Sequence, residues 1–295
     1  MKGIILAGGS GSRLYPATKI ITKQLLDIGG KPMIYYPLTQ LMLAGIRDIL
    51  LISTPHNIEL YQNVLEDGSQ WGISIEYAIQ EYPGGLAQAF LLPKYKNYIS
   101  SEDFIGEDSV TLILGDNIFY GPIDYLDSIR FFDKGAVIFA KYVKDPERFG
   151  VVEFDKNFNA LSLEEKPVKP KSHFAVTGLY AYDNNVISFA KRLKPSSRGE
   201  LEITDLNNIY LQEGLLKVVK LRRGIAWFDT GTKQSIENVR QFIMLIESNQ
   251  ATLIGSPEEV AFRMGYIDKN QFEILINNLP DNEYKILLSR VLEEF

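Results

Sequence analysis

Short apolar runs alternate with longer amphipathic stretches along the first half of this chain. Apolar runs bounded by glycine, polar or charged positions predict five β-strands, at residues 2–7, 49–53, 74–79, 110–114 and 135–142. Between several of them, the patterns at 34–44, 85–92 and 122–132 predict helices. Strands that alternate with helices are typical of an α/β fold. We therefore expect a predominantly parallel, mixed sheet with helices on both faces.

The pattern changes in the second half of the chain. Shorter β-like runs at 150–155, 160–165 and 174–182 surround a helical stretch at 203–213, which predicts a β-rich lobe continuous with the sheet. From residue 232 onward, apolar positions at helical spacing predict helices at 235–248, 257–264, 269–277 and 282–295. We expect a core at 1–231, divided at about residue 140, and a helical part at 232–295.

A glycine-rich segment directly follows the first predicted strand. Gly8, Gly9 and Gly11 allow the backbone to approach a ligand closely and to turn N–H groups toward an anion. Basic residues gather in the same segment although the whole chain has a net charge of -6: Lys2, Arg13, Lys19, Lys23 and Lys31. This concentration of positive charge predicts a polyphosphate-binding site.

Two common phosphate-binding patterns do not fit this segment. The dinucleotide pattern G-x-G-x-x-G, started at Gly9, has Leu14 where its third glycine should be. The phosphate loop of kinases and ATPases closes with Gly-Lys-Ser/Thr, but here Gly11 is followed by Ser12 and Arg13. Neither a hydride-transfer enzyme nor a Walker-type enzyme is favoured. A glycine-rich turn without a ligand is disfavoured by the basic residues beside it.

Composition limits the chemistry to oxygen ligands and charged groups. The chain has no cysteine and only two histidines, His56 and His173, so thiolate and multi-histidine metal sites are excluded. Asp116 follows the strand predicted at 110–114, at the carboxyl end where open α/β sheets bind ligands. Asp229 lies in a second apolar-to-turn segment. Two carboxylates with phosphate oxygens and water suit Mg²⁺.

The apolar runs also bear on location. No run reaches 18 residues, and the N-terminus enters a strand directly instead of showing a charged and then apolar leader. We therefore expect neither a membrane span nor a signal peptide, and a cytoplasmic location.

Ordered motifs throughout the chain resemble those of the sugar nucleotidyltransferases. The pattern G-G-x-G-[ST]-R-L-x-P-x-T is present at 8–18, K-Q-L-L at 23–26 and K-P-M-I-Y-Y-P-L at 31–38. Further similar blocks follow in the family's order, at 85–89, 114–117, 145–152, 162–167, 176–180, 198–205 and 227–232. The resemblance covers essentially all 295 residues. It implies the nucleotide-diphospho-sugar transferase type of Rossmann-like fold, with nucleotide binding in 1–140 and sugar binding in 141–231.

The resemblance also implies a reaction. It is Mg²⁺-dependent transfer of a thymidylyl group from dTTP to α-D-glucose 1-phosphate, giving dTDP-glucose and pyrophosphate for dTDP-sugar synthesis such as that of dTDP-rhamnose. One alternative is a relative that uses UTP or another sugar phosphate. Another is a non-catalytic homologue that only binds sugar nucleotides, against which the retained ionic residues argue. No nucleic acid or membrane partner is expected.

Site residues are implied by the matching motifs. Arg13 and Lys23 are expected to hold the triphosphate, Lys166 the phosphate of the sugar, and Asp116 with Asp229 the metal. The expected nucleotide-binding residues are Leu6, Gly8, Gly9, Ser10, Gly11, Ser12, Arg13, Lys23, Gln80, Gly85 and Asp116. The expected sugar-binding residues are Leu86, Asn117, Gly150, Glu165, Lys166 and Val176.

The sequence departs from the family pattern at two positions. Asp27 stands where a proline usually follows K-Q-L-L, which places a negative charge four residues from Lys23. Phe149 stands at a position that is often tyrosine, so a hydroxyl is lost next to Gly150. Neither departure removes a group on which the implied mechanism depends.

The helical C-terminal part, by resemblance, implies a homotetramer with a second nucleotide-sugar site for feedback inhibition. That regulatory site is expected near Arg222, Gly224, Glu259 and Arg263. Surface ion pairs made by these arginines are an equally good interpretation of the same residues.

Overall fold

The structure of the protein is a computed structural model that describes residues 1–9 and 11–294. Its strands are β1 (Lys2–Leu6), β2 (Asp27–Ile28), β3 (Lys31–Pro32), β4 (Asp48–Ser53), β5 (Ser74–Ile79), β6 (Val110–Leu114), β7 (Asn117–Tyr120), β8 (Ala136–Tyr142), β9 (Gly150–Phe154), β10 (Ala160–Glu165), β11 (Phe174–Tyr182), β12 (Leu216–Lys220) and β13 (Ala226–Asp229). Its α-helices are α1 (Tyr35–Leu43), α2 (Ile58–Leu65), α3 (Ser101–Ile105), α4 (Asp127–Arg130), α5 (Asn185–Ala190), α6 (Ile203–Gln212), α7 (Lys233–Gln250), α8 (Pro257–Arg263), α9 (Lys269–Asn278) and α10 (Glu283–Glu293).

Nine strands form one mixed sheet, as predicted. Its main path runs β10-β9-β11-β6-β1-β4-β5, and β8 pairs with both β11 and β12. The half of the sheet that comes first in the sequence is parallel, because β6, β1, β4 and β5 pair in the same direction. The later strands β9, β10 and β11 pair antiparallel. The predicted β-rich lobe is therefore continuous with the sheet.

Apolar side chains cover both faces of this sheet. In β1, Ile4 and Leu6 belong to one buried cluster, whereas Ile5 belongs to the other. Successive side chains of a strand point to opposite faces, so a strand buried on both sides becomes a continuous apolar run. Helix α1 packs on the Ile5 face and α6 on the opposite face. The expectation of helices on both faces is confirmed.

Two predicted helices differ from the structure. The stretch 85–92 holds only a short 3-10 helix, Ala87–Phe90, and 122–132 divides into a 3-10 helix, Ile123–Leu126, followed by α4. Before the first of these, Gly85 has a φ of +99°, and a Cβ at this position would collide with the backbone of Leu201. Apolar spacing indicated burial correctly here, but the left-handed backbone and this tertiary contact prevent a regular α-helix.

Strands β7 and β13 form a separate two-stranded antiparallel sheet that the sequence patterns did not predict as a pair. Each strand has only four residues, which is too short to show a period. Their pairing places Asp229 opposite Asn117. This small sheet therefore brings together two segments that are far apart in the sequence.

The predicted C-terminal helices correspond to α7, α8, α9 and α10. Helix α7 begins after Thr232, whose hydroxyl accepts a hydrogen bond from the backbone N–H of Ser235 in a capping box. Helix α8 packs against α1, and α9 and α10 pack beside it. Phe295, the last residue of the predicted 282–295 helix, lies outside the described residues. The division of the chain after residue 231 stays a prediction.

Within residues 1–9 and 11–294, every helix is either too short or too polar to cross a lipid bilayer. The cytoplasmic location stays a prediction.

Candidate active site

Two adjoining pockets open at the carboxyl edge of the parallel strands. The smaller one has a volume of about 200 Å³ and the larger one about 700 Å³. They share Leu86, Leu114 and Glu200 along their common border. Of the residues predicted to bind the nucleotide, those lining the smaller pocket are Leu6, Gly8, Gly9, Gln80, Gly85 and Asp116. All of the residues predicted to bind the sugar line the larger pocket: Leu86, Asn117, Gly150, Glu165, Lys166 and Val176.

The glycine-rich loop leads from β1 to a short 3-10 helix, Ser12–Leu14. Gly11 has a φ of +59°, and its carbonyl oxygen accepts a hydrogen bond of 2.9 Å from the Thr18 hydroxyl. Arg13 is exposed, lines the larger pocket, and has no ion-pair partner among the described residues. Its guanidinium is therefore available to an incoming anion. Ser12 is exposed on the same turn, and Ser10 lies outside the described residues.

Lys23 contrasts with Arg13 because it is buried and paired. Its Nζ lies 2.6 Å from Oδ2 of Asp116, and the lysine side chain is 9% exposed. The lysine begins a buried 3-10 turn, Lys23–Leu25, in which Gln24 is also buried. A buried charge requires such a partner, because an unpaired charge removed from water is strongly unfavourable. Lys23 and Asp116 thus hold each other in place.

The two predicted metal ligands meet through the small sheet. Asp116 directly precedes β7, and Asp229 ends β13 opposite Asn117. The hydroxyl of Thr230 donates a hydrogen bond of 2.8 Å to the carbonyl of Asp116, which ties the two segments together. Burial, followed by the negative charge of Asp116, raises the pKa of the Asp229 carboxyl, whereas Lys23, Arg148 and Arg13 act in the opposite direction. The two carboxylates are therefore electrostatic neighbours.

This carboxylate pair fits a divalent cation. Among residues 1–9 and 11–294, no three histidine, cysteine or acidic side chains form a metal-binding cluster. A cation here would have two protein carboxylates and take its remaining ligands from substrate oxygens and water, as Mg²⁺ usually does. Burial first and the neighbouring Asp116 second raise the pKa of Asp229, and a bound cation would favour the ionised carboxylate. The donor set and the local charge both match a hard cation.

The predicted sugar-binding residues converge on the floor of the larger pocket. Oε2 of Glu165 accepts a hydrogen bond of 2.6 Å from the Thr204 hydroxyl. A Cβ at Gly150 would come within 3.3 Å of both of these side-chain oxygens, and Val176 lies next to them. Glycine at position 150 therefore leaves room for a ligand that contacts a carboxylate and a hydroxyl. Such groups pair well with sugar hydroxyls.

Lys166 lies at the rim of this pocket in a left-handed backbone conformation, with a φ of +43°. Its backbone N–H donates to the carbonyl of Phe149 at 3.0 Å, which holds this uncommon conformation in place. Its Nζ lies 3.4 Å from Glu165, and the side chain is 45% exposed. The conformation places a half-exposed ammonium group at the entrance to the pocket.

A known family model covers the whole of this site. The model described as nucleotidyl transferase matches residues 2–245, which include every residue that lines the two pockets. The chain belongs to the nucleotidyl transferase family. Its relatives include proteins named glucose-1-phosphate thymidylyltransferase from Neisseria meningitidis, 52% identical over all of both chains, and Mycobacterium tuberculosis, 52% identical over 99% of each. The similar protein from Neisseria gonorrhoeae is 54% identical over 96% of each chain.

Solved structures agree with this assignment. A Bacillus anthracis protein crystallised with sucrose, and given the provisional name glucose-1-phosphate thymidylyltransferase, is 42% identical with a TM-score of 0.74. The match covers 83% of this chain and 95% of that one. A UDP-glucose pyrophosphorylase bound to UDP-glucose has a TM-score of 0.69 at 21% identity, over 82% of this chain and 97% of that one. At that identity the second likeness supports the fold alone.

Several pocket residues of this nucleotidyl transferase had no role assigned from the sequence. Arg198 lies in the larger pocket and pairs with Glu202 at 2.8 Å and with Glu165 at 3.6 Å. Arg148 bridges Asp145 at 2.7 Å and Asp229 at 3.3 Å. Both arginines belong to motifs that carried the resemblance, at 145–152 and 198–205. A charged residue inside a matching motif was the signal that could have identified them.

Asn117 is held by hydrogen bonds on several sides. Its Oδ1 accepts from the backbone N–H of Gly178 at 3.0 Å and from Nε1 of Trp227 at 2.6 Å, and its Nδ2 donates to Asp116 at 3.0 Å. Trp227 also lines the larger pocket and was not predicted. One asparagine therefore connects the carboxylate pair with the sugar side of the nucleotidyl transferase.

The two departures from the family pattern have clear positions. Asp27 lies 3.6 Å from Arg240 of α7, so its charge is partly balanced there, while Lys23 pairs with Asp116. Phe149 packs on Trp227 with ring centroids 5.2 Å apart, and the guanidinium of Arg148 lies over the Phe149 ring, 5.0 Å from its centroid. Phenylalanine thus contributes packing at the position where the pattern often has a hydroxyl.

The predicted regulatory residues fall on two different elements of the nucleotidyl transferase. Arg222 and Gly224 lie in the turn between β12 and β13, where Arg222 pairs with Asp124 at 3.0 Å. Glu259 and Arg263 lie on α8 and pair with each other at 2.7 Å. The pair of Arg222 with Asp124 is a surface ion pair as the alternative interpretation expects, whereas Glu259 is buried and its pair with Arg263 is only partly exposed. The regulatory role stays a prediction.

Proposed function

We propose that this chain transfers a thymidylyl group from dTTP to glucose 1-phosphate, releasing pyrophosphate and forming dTDP-glucose, in a Mg²⁺-dependent reaction. The proposal is supported by relatives named glucose-1-phosphate thymidylyltransferase, which are 52% identical to this chain over its full length or 99% of it. The observation that carries it is the pair of adjoining pockets. One is lined by the glycine-rich loop and the other by cations and sugar-binding groups, and the carboxylate pair lies where they meet.

In this reaction a phosphate oxygen of the sugar phosphate attacks the α-phosphorus of dTTP in line, and the bond to pyrophosphate breaks. The attacking phosphate is already ionised near neutral pH, so positive charge and positioning are needed more than a general base. Arg13 and Lys23 hold the triphosphate and the departing pyrophosphate. Lys166, helped by Arg198, holds the phosphate of the sugar. Together these cations overcome the repulsion between two polyanions.

The carboxylate pair supplies the opposite charge. Asp116 and Asp229 would hold Mg²⁺, which would polarise the phosphoryl oxygens and stabilise the charge that develops on them. Lys23 keeps Asp116 oriented, and Thr230 keeps its backbone beside that of Asp229. The protein thereby fixes the spacing of the two carboxylates before substrates bind.

Recognition is divided between the two pockets. Gln80 and the backbone of Gly85 contact the pyrimidine base in the smaller pocket, while Glu165, Gly150 and Val176 contact the sugar in the larger one. Because the two pockets share a border, the α-phosphorus of a nucleotide in one and the attacking oxygen of a sugar phosphate in the other would come close together.

Three wider features belong to the same proposal. The product would enter dTDP-sugar synthesis, such as that of dTDP-rhamnose, in the cytoplasm. The helical part at 232–295 would mediate a homotetramer, for which exposed apolar side chains on α7 and α10, Met244, Leu245 and Ile286, provide support. A feedback nucleotide-sugar would bind near Arg222, Gly224, Glu259 and Arg263.

Pyrophosphate release tests the reaction directly. It is measured with dTTP and glucose 1-phosphate, with and without Mg²⁺, beside UTP and beside galactose 1-phosphate and N-acetylglucosamine 1-phosphate. We expect metal-dependent release that favours dTTP with glucose 1-phosphate. Asp229→Asn should lose most turnover while it remains folded, whereas Asp124→Asn, an acidic residue outside both pockets, should keep it. Full turnover in Asp229→Asn would remove that carboxylate from the metal site.

The alternatives predict other outcomes of the same assay. Release that favours UTP or another sugar phosphate would keep the reaction type and change the substrate. Absence of release with every pair would instead favour a sugar-nucleotide-binding protein without turnover. Titration with dTDP-rhamnose in the active enzyme tests the feedback site, and unchanged rates at every concentration would contradict it.

A further inference from the structure

We propose that Gln88 is a positioning residue which fixes the orientation of the Gln80 amide and so makes the smaller pocket select pyrimidine bases that carry a hydrogen on ring nitrogen N3. The inference deepens the proposed function, because it rests on Gln80 contacting the base. It concerns the direction of one hydrogen bond, which neither the pocket shape nor the family motifs specify.

The orientation begins at a backbone group. The N–H of Gly84 points to Gln88 at 3.1 Å, and a backbone N–H is always a donor, so the amide atom that faces it must be the oxygen. Gly84 is itself held in place, since its carbonyl accepts from the backbone N–H of Leu201 at 2.8 Å. Oε1 of Gln88 is therefore a fixed acceptor.

The same oxygen orients Gln80. Oε1 of Gln88 also accepts a hydrogen bond of 2.8 Å from Nε2 of Gln80, and that nitrogen makes a second, longer contact of 3.4 Å with the carbonyl of Gly85. Both amide hydrogens of Gln80 thus point to protein oxygens. The opposite orientation would set the Gln80 oxygen against the Gln88 oxygen, two acceptors with no hydrogen between them.

Oε1 is the atom of the Gln80 amide that remains for a ligand. Gln80 is 3% exposed, and no described residue donates a hydrogen bond to its Oε1. This oxygen lies against Gly8, where a Cβ would collide with it, and Gln80 lines the smaller pocket together with Gly8 and Gly85. This oxygen therefore keeps its acceptor capacity for a group that enters the pocket.

This acceptor matches one class of base edge. Thymine and uracil carry an N–H at N3 between two carbonyl groups, so Oε1 of Gln80 can accept from N3 while a backbone N–H such as that of Gly85 donates to a neighbouring carbonyl. Cytosine has an unprotonated N3, which would place two acceptors face to face. Rejection of cytosine then depends on the amide being unable to turn over.

Gln88 supplies that restraint. The two ends of a glutamine amide have nearly the same shape, and the terminal torsion of the side chain is broad and roughly two-fold. A free Gln80 could therefore rotate to present Nε2 to cytosine at little cost. The chain of hydrogen bonds from Gly84 through Gln88 to Gln80 gives the two orientations different energies.

The test measures equilibrium binding, so that it does not depend on turnover. Dissociation constants for dTTP, dUTP and dCTP are determined by calorimetry for the wild type, Gln88→Leu and Gln88→Glu. Leucine removes the acceptor, and glutamate keeps an oxygen for both donors. We expect the preference for dTTP over dCTP to fall by about 10- to 100-fold in Gln88→Leu and to be retained in Gln88→Glu. The ratio of dTTP to dUTP should stay constant because both bases carry the same N3–H.

The outcomes separate this inference from the proposed function. A wild type that binds dTTP and dCTP equally would overturn it, as would a folded Gln88→Leu that keeps the full preference. Loss of the preference in both variants would also overturn it, because the lost feature would then be packing and not the acceptor. Thermal unfolding verifies that each variant is folded, and Gln88→Met replaces leucine if that variant is not. Selective dTTP binding without pyrophosphate release would contradict the proposed reaction while leaving the role of Gln88 supported.

Discussion

Two lysines show how differently the two sides of the site are built. On the nucleotide side, the side chain of Lys23 is 9% exposed and its Nζ lies 2.6 Å from Asp116. On the sugar side, the side chain of Lys166 is 45% exposed and its Nζ lies 3.4 Å from Glu165. The nucleotide side is therefore preorganised by a buried pair. The sugar side keeps a solvated cation whose best partner is a ligand.

The difference follows from the part of the sheet that supports each lysine. Lys23 lies beside the buried parallel strands, where a charge must be paired at close range. Lys166 directly follows β10, the strand at one end of the main sheet path, where water reaches the side chain. Arg198 is also partly exposed, at 42%, but two hydrogen bonds of 3.2 and 2.8 Å hold it on the buried Glu202. Binding of the sugar phosphate would then rearrange the weak pair of Lys166 at low cost, while Arg198 keeps its place.

The largest effect is expected at the buried lysine. Lys23→Met should lower kcat/KM for dTTP by about 1000-fold, because a cation that stabilises the triphosphate is lost. It should also lower the free energy of unfolding by about 2 kcal/mol, because Asp116 is left without its partner. Kinetics and thermal unfolding measure the two effects together. Lys19→Met is the control and should change neither, because this exposed lysine of the same segment lines neither pocket, although the sequence grouped it with the basic cluster.

A smaller and more selective effect is expected at the exposed lysine. Lys166→Met should raise KM for glucose 1-phosphate by about 10- to 100-fold, the value of one charge-assisted hydrogen bond, and leave KM for dTTP nearly unchanged. The melting temperature should not move, since the pair with Glu165 is solvated. Lys171→Met removes a neighbouring exposed lysine as the control. Equal loss of stability in Lys23→Met and Lys166→Met would contradict the contrast between the two sides.

The smallest effect is expected at Asp205, which lies near other negative charges on the sugar side of the site. Burial, followed by the charges of Glu202 and Glu165, raises the pKa of Asp205 above its ordinary 3.8. The folded state then binds more protons than the unfolded state above pH 3.8, so this carboxyl lowers stability as the pH rises through its raised pKa. Asp205→Asn should therefore raise the melting temperature slightly at pH 7, and the gain should vanish below about pH 3.8.

Asp281 provides a control of opposite sign for this experiment. Its hydrogen bond to Lys285 lowers the pKa of its carboxyl, so Asp281→Asn should slightly lower the melting temperature at pH 7. Thermal unfolding between pH 3 and pH 8 follows both variants. A change of the same sign in the two variants would show that removal of any surface charge is responsible.

The sequence predicted the parallel strands well because their signal is local. The run from Ile4 to Ala7 is apolar at every position, as burial on both faces requires. The glycine-rich loop and Asp116 could be placed at the carboxyl edge for the same reason. Arg13 and Lys23 were recognised from their motif. Only the structure shows that Arg13 is exposed, without an ion-pair partner among the described residues, and that Lys23 is buried and paired with Asp116.

What the sequence could not provide depends on long-range pairing. The partnership of β7 and β13 joins segments that show no common pattern, and the 3-10 turn at Ala87–Phe90 exists because Gly85 packs on Leu201. Gln88 belongs to a motif that was recognised, yet its hydrogen bond to Gln80 appears only after that turn is formed. Apolar periodicity reports burial and does not report the direction of a hydrogen bond.

The small sheet of β7 and β13 has a consequence for how such enzymes can diversify. It carries Asp229 next to the segment of Asp116, and among the described strands it makes no backbone pairing with the nine-stranded sheet. The sugar lobe therefore reaches the two carboxylates through side chains, by Asn117 against Gly178 of β11 and by Arg148 against Asp229. Substitutions in that lobe that spare these contacts can accumulate over evolution and alter which sugar is accepted, while the spacing of the carboxylates is kept.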